Sequence, residues 1–369
     1  MLTSNETMQF AVIGCGTIAQ VMHLPYLAEL PEASIHALVD PAENRVEELG
    51  ERYNVPHRYQ TVDELLTSAS DQIDAAIVLT PAHTHADVVV KTLNADIHTL
   101  VEKPLAVTLE DANRMIETAN ASDAVSMVAY MKRFDPAYEQ AHEHLKAFDN
   151  VDVVTSYDVD PDHGRIIREV YNIVDADLSN GFVEESATER RNQIARAIDT
   201  DDDELINAYD FQLDHVCHDI NALRGLFGKV TNVSHVDVFS DGRYATAHLE
   251  YENDVRCVLE TGDSDRKWFE QFIRVDGPEE MLKLDFSNPF IRNTPTDLRL
   301  KRGVKDLEDT AHTPSYDEPF KRELEHFLEC VRSDNSVRTP FDEARDDLRV
   351  IIDLFKTYQQ TELESTHAH

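Results

Sequence analysis

Six residues near the start, Gly14-Cys15-Gly16-Thr17-Ile18-Ala19, restrict this chain more than any other feature. They follow an apolar run, QFAVIG, and open a stretch with helical spacing. The first glycine permits a tight strand-to-helix turn, and the second lets the backbone approach a pyrophosphate. Alanine in the third position packs helix against strand. Backbone N–H groups at the helix start then point at the phosphates. By itself GxGxxA also describes an ordinary strand–helix turn. Its context narrows the choice. Asp40 closes the next strand pattern, SIHALVD, where a carboxylate hydrogen-bonds a ribose 2′-hydroxyl. Gly14, Gly16, Thr17, Ile18 and Asp40 are therefore the expected dinucleotide ligands. A carboxylate at 40 meets the 2′-phosphate of NADP with like charge, so NAD is expected, with NADP possible. Arg45 lies nearby and reads equally as a helix-surface ion pair.

Up to about residue 130, short apolar runs alternate with amphipathic stretches. QFAVIG, SIHALVD, QIDAAIVL, DIHTLVE and AVSMVAY read as buried strands, with helices over roughly 17–30, 41–53, 82–95 and 108–120. This alternation implies a parallel sheet with helices on both faces. After 130 the pattern changes. A helix over about 136–147 precedes the strand VDVVTSYDV. A polar stretch, 160–207, carries one expected helix near 184–198, and the acidic run 199–204 reads as a solvated loop or a helix start. Six strand patterns follow between 229 and 302 without intervening helices, which predicts an open, mainly antiparallel sheet. Two helices close the chain, 317–334 and 341–359, with Asp342 as a candidate N-cap. The fold class expected is an α/β Rossmann N-terminal domain (1–130) and an α+β C-terminal domain (131–369). The terminal helices 317–359 are candidates to pack back on the first domain.

Composition limits the partners. The chain has 369 residues, with 34 Lys+Arg against 71 Asp+Glu, for a net charge of −37. Such a surface repels nucleic-acid phosphates and anionic lipid, so no nucleic acid and no membrane are expected. Only 11 of the 34 basic residues are lysine, and the acidity is spread along the whole chain, which reads as adaptation to molar salt. The field favours a neutral polyol over a multiply charged acid as substrate. It also predicts that salt strengthens NAD binding. Four scattered cysteines form no disulfide or zinc-ribbon framework. The first ten residues lack the features of a signal peptide, and no apolar run approaches the roughly 18 residues of a membrane span. A soluble, cytoplasmic protein is expected.

Other polar residues gather at predicted strand ends. Thr80-Pro81 ends the fourth strand, where a doubly wound sheet presents ligands. His85 is taken as facing the cofactor, and His83 as a solvated residue at a helix start. Glu102-Lys103-Pro104 ends the fifth strand. A lysine there points into the cleft expected to hold nicotinamide, although a strand-end lysine is more often a surface ion pair. Asp214 and His218, four apart in a stretch of helical spacing, share one helix face. Asp214, His215, His218 and Asp219 are also a metal-compatible set. With a lysine in the same inferred site a cation is redundant, so no metal is expected.

AVIGCGTIA, the strand-end Asp40, TPAHTH, VEKPLA, RFDPAY and DHVCHD occur in an order that resembles the glucose–fructose oxidoreductase / inositol dehydrogenase (Gfo/Idh/MocA) family. The motifs cover both halves of the chain, and Glu-Lys-Pro followed by Asp-x-x-x-His is fairly specific. The resemblance implies an NAD(P)-dependent dehydrogenase acting on the CH–OH group of a sugar, sugar acid or cyclitol. It implies His218 as base, Lys103 polarising the substrate oxygen, and Asp214 binding a substrate hydroxyl or orienting the site. Glu102 and Arg133 join the cofactor-side residues, Arg133 equally as a domain-interface ion pair. Two departures stand out. Ala82 replaces an asparagine frequent in relatives, and NAYDFQ replaces a glycine-rich lead-in before Asp214. Similar proteins pair through the open sheet, so a homodimer or homotetramer is expected. The polar segment 160–210 reads either as a lid or as a surface insertion. Rival readings are an NAD-using glycosidase or lyase of the same fold, and a non-catalytic dinucleotide-sensing regulator.

Overall fold

A computed structural model describes residues 7–333 and 335–367. The first elements alternate as the apolar pattern requires: β1 (Met8–Ile13), α1 (Leu24–Glu29), β2 (Ala33–Val39), α2 (Glu43–Tyr53), β3 (His57–Tyr59), α3 (Val62–Ala69), β4 (Ala75–Val78), α4 (His85–Asn94), β5 (His98–Glu102), α5 (Leu109–Ala121) and β6 (Ser126–Ala129). The six strands form one parallel sheet in the order β3-β2-β1-β4-β5-β6. Every residue of β4 is buried, as a strand covered on both faces must be. The small β3 and helix α3 were not foreseen. A three-residue strand leaves no period to read, while α3 starts with a capping box between Thr61 and Glu64. The first helical segment runs over 17–29, close to the 17–30 expected, with a π-helical turn at Ala19–His23 leading into α1.

The remaining elements are α6 (Pro136–Leu145), β7 (Val153–Asp160), α7 (His163–Val170), α8 (Asn180–Ile198), α9 (Asp203–Phe227), β8 (Val230–Phe239), β9 (Tyr244–Tyr251), β10 (Arg256–Asp263), β11 (Glu270–Asp276), β12 (Glu280–Phe286), β13 (Asp297–Arg302), β14 (Glu308–His312), α10 (Pro319–Ser333) and α11 (Phe341–His367). Eight strands make the second sheet, ordered β14-β13-β12-β11-β7-β10-β9-β8. Only β7 and β10 pair in parallel, and the other neighbours are antiparallel. Alternation is clean: Val154, Ser156 and Asp158 of β7 are buried, as are Leu282, Leu284 and Phe286 of β12. On the opposite face Tyr157 stacks on Phe272 at 5.3 Å, with the Lys283 ammonium 4.3 Å over the Phe272 ring.

Of the two readings of the acidic run at 199–204, the helix start holds: Asp202 caps α9 by accepting the N–H groups of Glu204 and Leu205, and that helix runs for 25 residues. One expectation changes. Asp342 is not an N-cap. Helix α11 begins at Phe341 and places Asp342 inside its first turn, where a carboxylate still favours the helix dipole.

The chain divides into two compact units. One takes residues up to Tyr130 with Arg168–Gln193 and Phe320–Asp346; the other takes Met131–Ile167, Ile194–Pro319 and the chain from Asp347. In the first, Phe327 of α10 packs on Phe10 of β1, and Thr339 exchanges hydrogen bonds with the backbone of Val128. In the second, Tyr209 of α9 meets Phe355 edge-on, and Asp347 accepts from Asn221 and Arg224. No described helix is long and apolar enough to cross a membrane.

Candidate active site

The dinucleotide turn is built as its glycines predict. Gly14 has φ +94°, and a Cβ on it would lie 2.6 Å from the Leu79 carbonyl, so the position excludes any side chain. At Gly16 an added Cβ meets nothing within 4 Å, which leaves open space beside the turn for a pyrophosphate. Thr17 and Ile18 begin the helical turns that follow. Asp40 is 4% exposed; its oxygens accept the Cys15 N–H at 2.8 Å and the Ala42 N–H at 2.9 Å. Each oxygen keeps a lone pair for a ribose hydroxyl. The Arg45 guanidinium lies 3.7 Å from Asp40 and donates through Nε to the Val174 carbonyl at 3.2 Å. These residues suit a nicotinamide dinucleotide.

The segment after α7 lies along this region. Gln20 holds Val174, Asn44 donates to the Asp175 carbonyl and accepts the Asp177 N–H, and Arg168 pairs with Asp175. His83 sits on a 3₁₀ turn, Ala82–Thr84. It contacts the Ser186 hydroxyl at 3.1 Å, and its carbonyl accepts from Gln193, so it is tied to α8 rather than solvated.

At the end of β4 the Thr80 hydroxyl accepts from Thr84, and Pro81 precedes the 3₁₀ turn. His85 is 1% exposed and bridges two strand ends. Its ring nitrogens lie 2.7 Å from the Thr80 carbonyl and 3.0 Å from that of Pro104, and burial holds its pKa down. Its ring thus clamps the loops after β4 and β5, while the Thr80 and Pro81 backbone lines the strand end. The Lys103–Pro104 peptide is cis.

Glu102 is buried. One oxygen contacts His23 Nε2 at 3.0 Å and the other accepts the Lys103 N–H at 2.9 Å. Burial acts to raise its pKa, but His23 and Lys103 outweigh that and hold the carboxyl below its usual range. Beneath it lies Glu323 of α10, fully buried, with neither oxygen hydrogen-bonded among the described residues. Burial and the neighbouring Glu102 push the Glu323 carboxyl well above its usual range. Glu323 carried no sequence signal, since helix α10 alternates charges throughout.

In the second unit α9 carries polar residues on two faces. Asp214 is exposed and His218 half-buried, one turn apart as their spacing requires. His215 and Asp219 are one residue further round, both buried, on the side packed against β7. His215 Nδ1 is 3.0 Å from Asp160, Nε2 is 3.3 Å from the Asp158 carbonyl, and His163 lies 3.1 Å from the other Asp160 oxygen. Burial opposes charge on His215, but Asp158, Asp160 and Asp219 raise its pKa to about 10. Burial likewise acts upward on Asp160, yet His163 and His215 hold it far below the usual carboxylate range. Asp158 goes the other way, raised by burial and by Asp219. Lys132 lies 3.7 Å from Asp158 and donates to Gln271.

Arg133 is placed beside α9. Nη1 reaches the Asn221 carbonyl at 3.5 Å, and Gly225 is small because Arg133 and the Tyr138 hydroxyl fill the space of a Cβ. Cys217 is fully buried, its thiol donating to the Asp214 carbonyl. The four-residue set 214, 215, 218 and 219 therefore splits between two helix faces. The group whose ligand atoms converge is Asp158, Asp160 and His215. Sequence reading missed both strand acids, although Asp-Val-Asp at the end of a strand places two carboxylates on one face.

A parallel sheet ordered β3-β2-β1-β4-β5-β6, a glycine turn after β1 and an acid ending β2 define a dinucleotide-binding Rossmann domain. Residues 8–130 match the Gfo/Idh/MocA family, described as an oxidoreductase family with an NAD-binding Rossmann fold. It is 24% identical over 323 residues to scyllo-inositol 2-dehydrogenase (NAD(+)) of Bacillus subtilis, covering 88% of this chain and 86% of that one. D-xylose 1-dehydrogenase (NADP(+)) 2 of Haloferax volcanii is 23% identical, over 95% of this chain and 97% of its own. Among solved structures, aldose-aldose oxidoreductase of Caulobacter crescentus complexed with glycerol superposes with a TM-score of 0.73 at 20% identity, covering 96% of this chain and 98% of that one. The protein is an NAD(P)-dependent dehydrogenase.

Proposed function

We propose that the chain oxidises one carbinol carbon of a neutral sugar or cyclitol, with NAD as the preferred acceptor. The observation that carries the catalytic assignment is the placement of Asp214 and His218 on the outward side of α9, away from the buried pair His215 and Asp219. Histidine titrates near neutrality and accepts a hydroxyl proton readily. His218 takes that proton. Lys103, at the end of β5, donates to the same oxygen and stabilises the negative charge that grows as the O–H bond breaks. Asp214 accepts a hydrogen bond from a neighbouring hydroxyl and fixes which carbon is presented. When bound, the nicotinamide supplies the hydride acceptor. Glu102, occupied by His23 and by the Lys103 N–H, holds the lysine backbone in place.

The relatives named above act on inositol, xylose and aldoses, which supports a sugar or cyclitol rather than a simple alcohol. A net charge of −37 supports an uncharged one. We place the protein in the cytoplasm as a homodimer or homotetramer, joined through the sheet face that carries Tyr157 and Phe272, and free of nucleic acid and membrane. A panel of inositols, aldoses and polyols with NAD and NADP, at low and molar KCl, tests the proposal. NADH formation with at least one neutral polyhydroxy compound is expected; turnover confined to charged acids overturns the substrate class.

A further inference from the structure

We propose that Asp158, Asp160 and His215 form a binding site for one divalent transition-metal ion, of the size and ligand preference of Zn²⁺. The argument begins with register. Asp158 and Asp160 are two residues apart on β7 and so share the face that α9 covers. His215 descends from α9 onto them. One ligand atom from each of the three lies within 4.8 Å of the others, and the closest pair, His215 Nδ1 and Asp160 Oδ2, is 3.0 Å apart. Ligands about 2.0–2.2 Å from a tetrahedral zinc sit within reach of such spacings after a shift of about 1 Å.

A second observation points to a cation as the ligand. Asp158 is 2% exposed and its Oδ1 has no hydrogen-bond partner among the described residues. Asp219, also fully buried, accepts from the Gln271 amide through Oδ1 at 2.9 Å, and its Oδ2 has no hydrogen-bond partner among the described residues. Buried carboxylate oxygens without donors are costly, on the order of several kcal/mol each. Charge gives the same answer. When ionised, the buried Asp158 and Asp219 and the half-buried Asp160 carry three negative charges, and Lys132, 3.7 Å from Asp158, offsets one, which leaves two when His215 and His163 are neutral. One divalent ion balances them. Two carboxylate oxygens and one imidazole nitrogen suit Zn²⁺ better than Mg²⁺ or Ca²⁺, which take oxygen ligands. Three protein ligands leave a coordination position for water or another oxygen donor. The ion ties β7 to the helix whose other side carries Asp214 and His218.

The test uses the full chain, stripped with EDTA and kept in molar KCl so that weak surface binding by an acidic protein is screened. Co²⁺ serves as the spectroscopic probe and Zn²⁺ as competitor. Binding of one Co²⁺ per chain is expected, with visible d–d absorption of a four- or five-coordinate ion, displaced by Zn²⁺, and with a higher melting temperature. Asp158→Asn and Asp160→Asn should each weaken binding at least tenfold, whereas Asp175→Asn, on an exposed carboxylate, should leave it unchanged. Should the variants unfold, the wild-type titration still decides. Absence of stoichiometric Co²⁺ binding in the stripped wild type, or binding unaltered in folded Asp158→Asn and Asp160→Asn, overturns the site and leaves a proton-bridged His–Asp cluster.

Discussion

The side-chain amide of Gln20 grips the backbone of Val174 on both sides, accepting its N–H at 2.8 Å and donating to its carbonyl at 3.1 Å. Gln20 also donates to the Cys15 carbonyl inside the dinucleotide turn at 2.9 Å. One residue therefore joins the cofactor turn to the segment that follows α7. Both Gln20 and Val174 are buried. Removing the amide with Gln20→Leu deletes two hydrogen bonds to the segment, each worth about 1 kcal/mol net, so local opening rises about thirtyfold. Limited proteolysis should show faster cleavage between Arg168 and Asn180. If the segment is a lid, NAD with substrate slows cleavage in the wild type, and an unchanged rate removes that role.

For the catalytic pair, Lys103→Met and His218→Ala should each lower kcat by about 10²–10⁴-fold while NAD binding stays within a few-fold. Tryptophan or cofactor fluorescence titration measures binding, and steady-state assays measure turnover. Unchanged turnover in both variants removes the mechanism.

Cofactor choice rests on Asp40. Asp40→Asn keeps one acceptor for the Cys15 and Ala42 N–H groups but deletes the charge that repels a 2′-phosphate. The ratio of kcat/KM for NADP over NAD should rise by roughly tenfold, about 1.4 kcal/mol. A ratio that stays fixed shows that Arg45, held by Asp40 and Val174, sets the preference instead.

Stability should depend on Glu323. Its carboxyl titrates above the usual 4.5 in the folded state because burial and Glu102 oppose its charge. The unfolded chain gives up this proton first as pH rises, so stability is lost upward from about pH 4.5 toward the folded-state value. Glu323→Met removes both the titration and two partnerless oxygens, a gain of about 1–3 kcal/mol. The variant should melt a few degrees higher at pH 8, with the advantage shrinking below pH 5. An equal or lower melting temperature at pH 8 means that Glu323 has a partner worth keeping.

Salt should act in an uncommon direction. With −37 charges, added KCl screens self-repulsion and the repulsion of an anionic dinucleotide. Melting temperature, activity and NAD affinity should all rise from low to molar KCl. A dissociation constant for NAD that climbs with KCl contradicts this account.

Legibility followed period and spacing. The strands β1, β2, β4, β5 and β6 are short apolar runs, and β11 and β12 alternate, so most of both sheets was readable, while the short β3 and the polar β14 were not. Gly14 and Asp40 were readable because a turn and a strand end demand those residue types. His215 was not, because its partners Asp158 and Asp160 come from a strand some 55 residues earlier. Gln20, His23 and Glu323 act through contacts made only on folding, and a helix position holding Gln or Glu looks like surface until its neighbours are known. Arg133 shows the reverse case: a conspicuous basic residue whose placement is beside Asn221 and Gly225.

The proposed chemistry is tested most directly by following one deuterium atom. A sugar or cyclitol that supports turnover is labelled at the carbinol carbon, and the NADH formed is examined by NMR. The account predicts one deuterium at nicotinamide C4 per substrate oxidised, together with one equivalent of NADH, and loss of both in His218→Ala. Consumption of the substrate without net NADH, or label released to water, contradicts hydride transfer as the reaction and favours transient use of the cofactor.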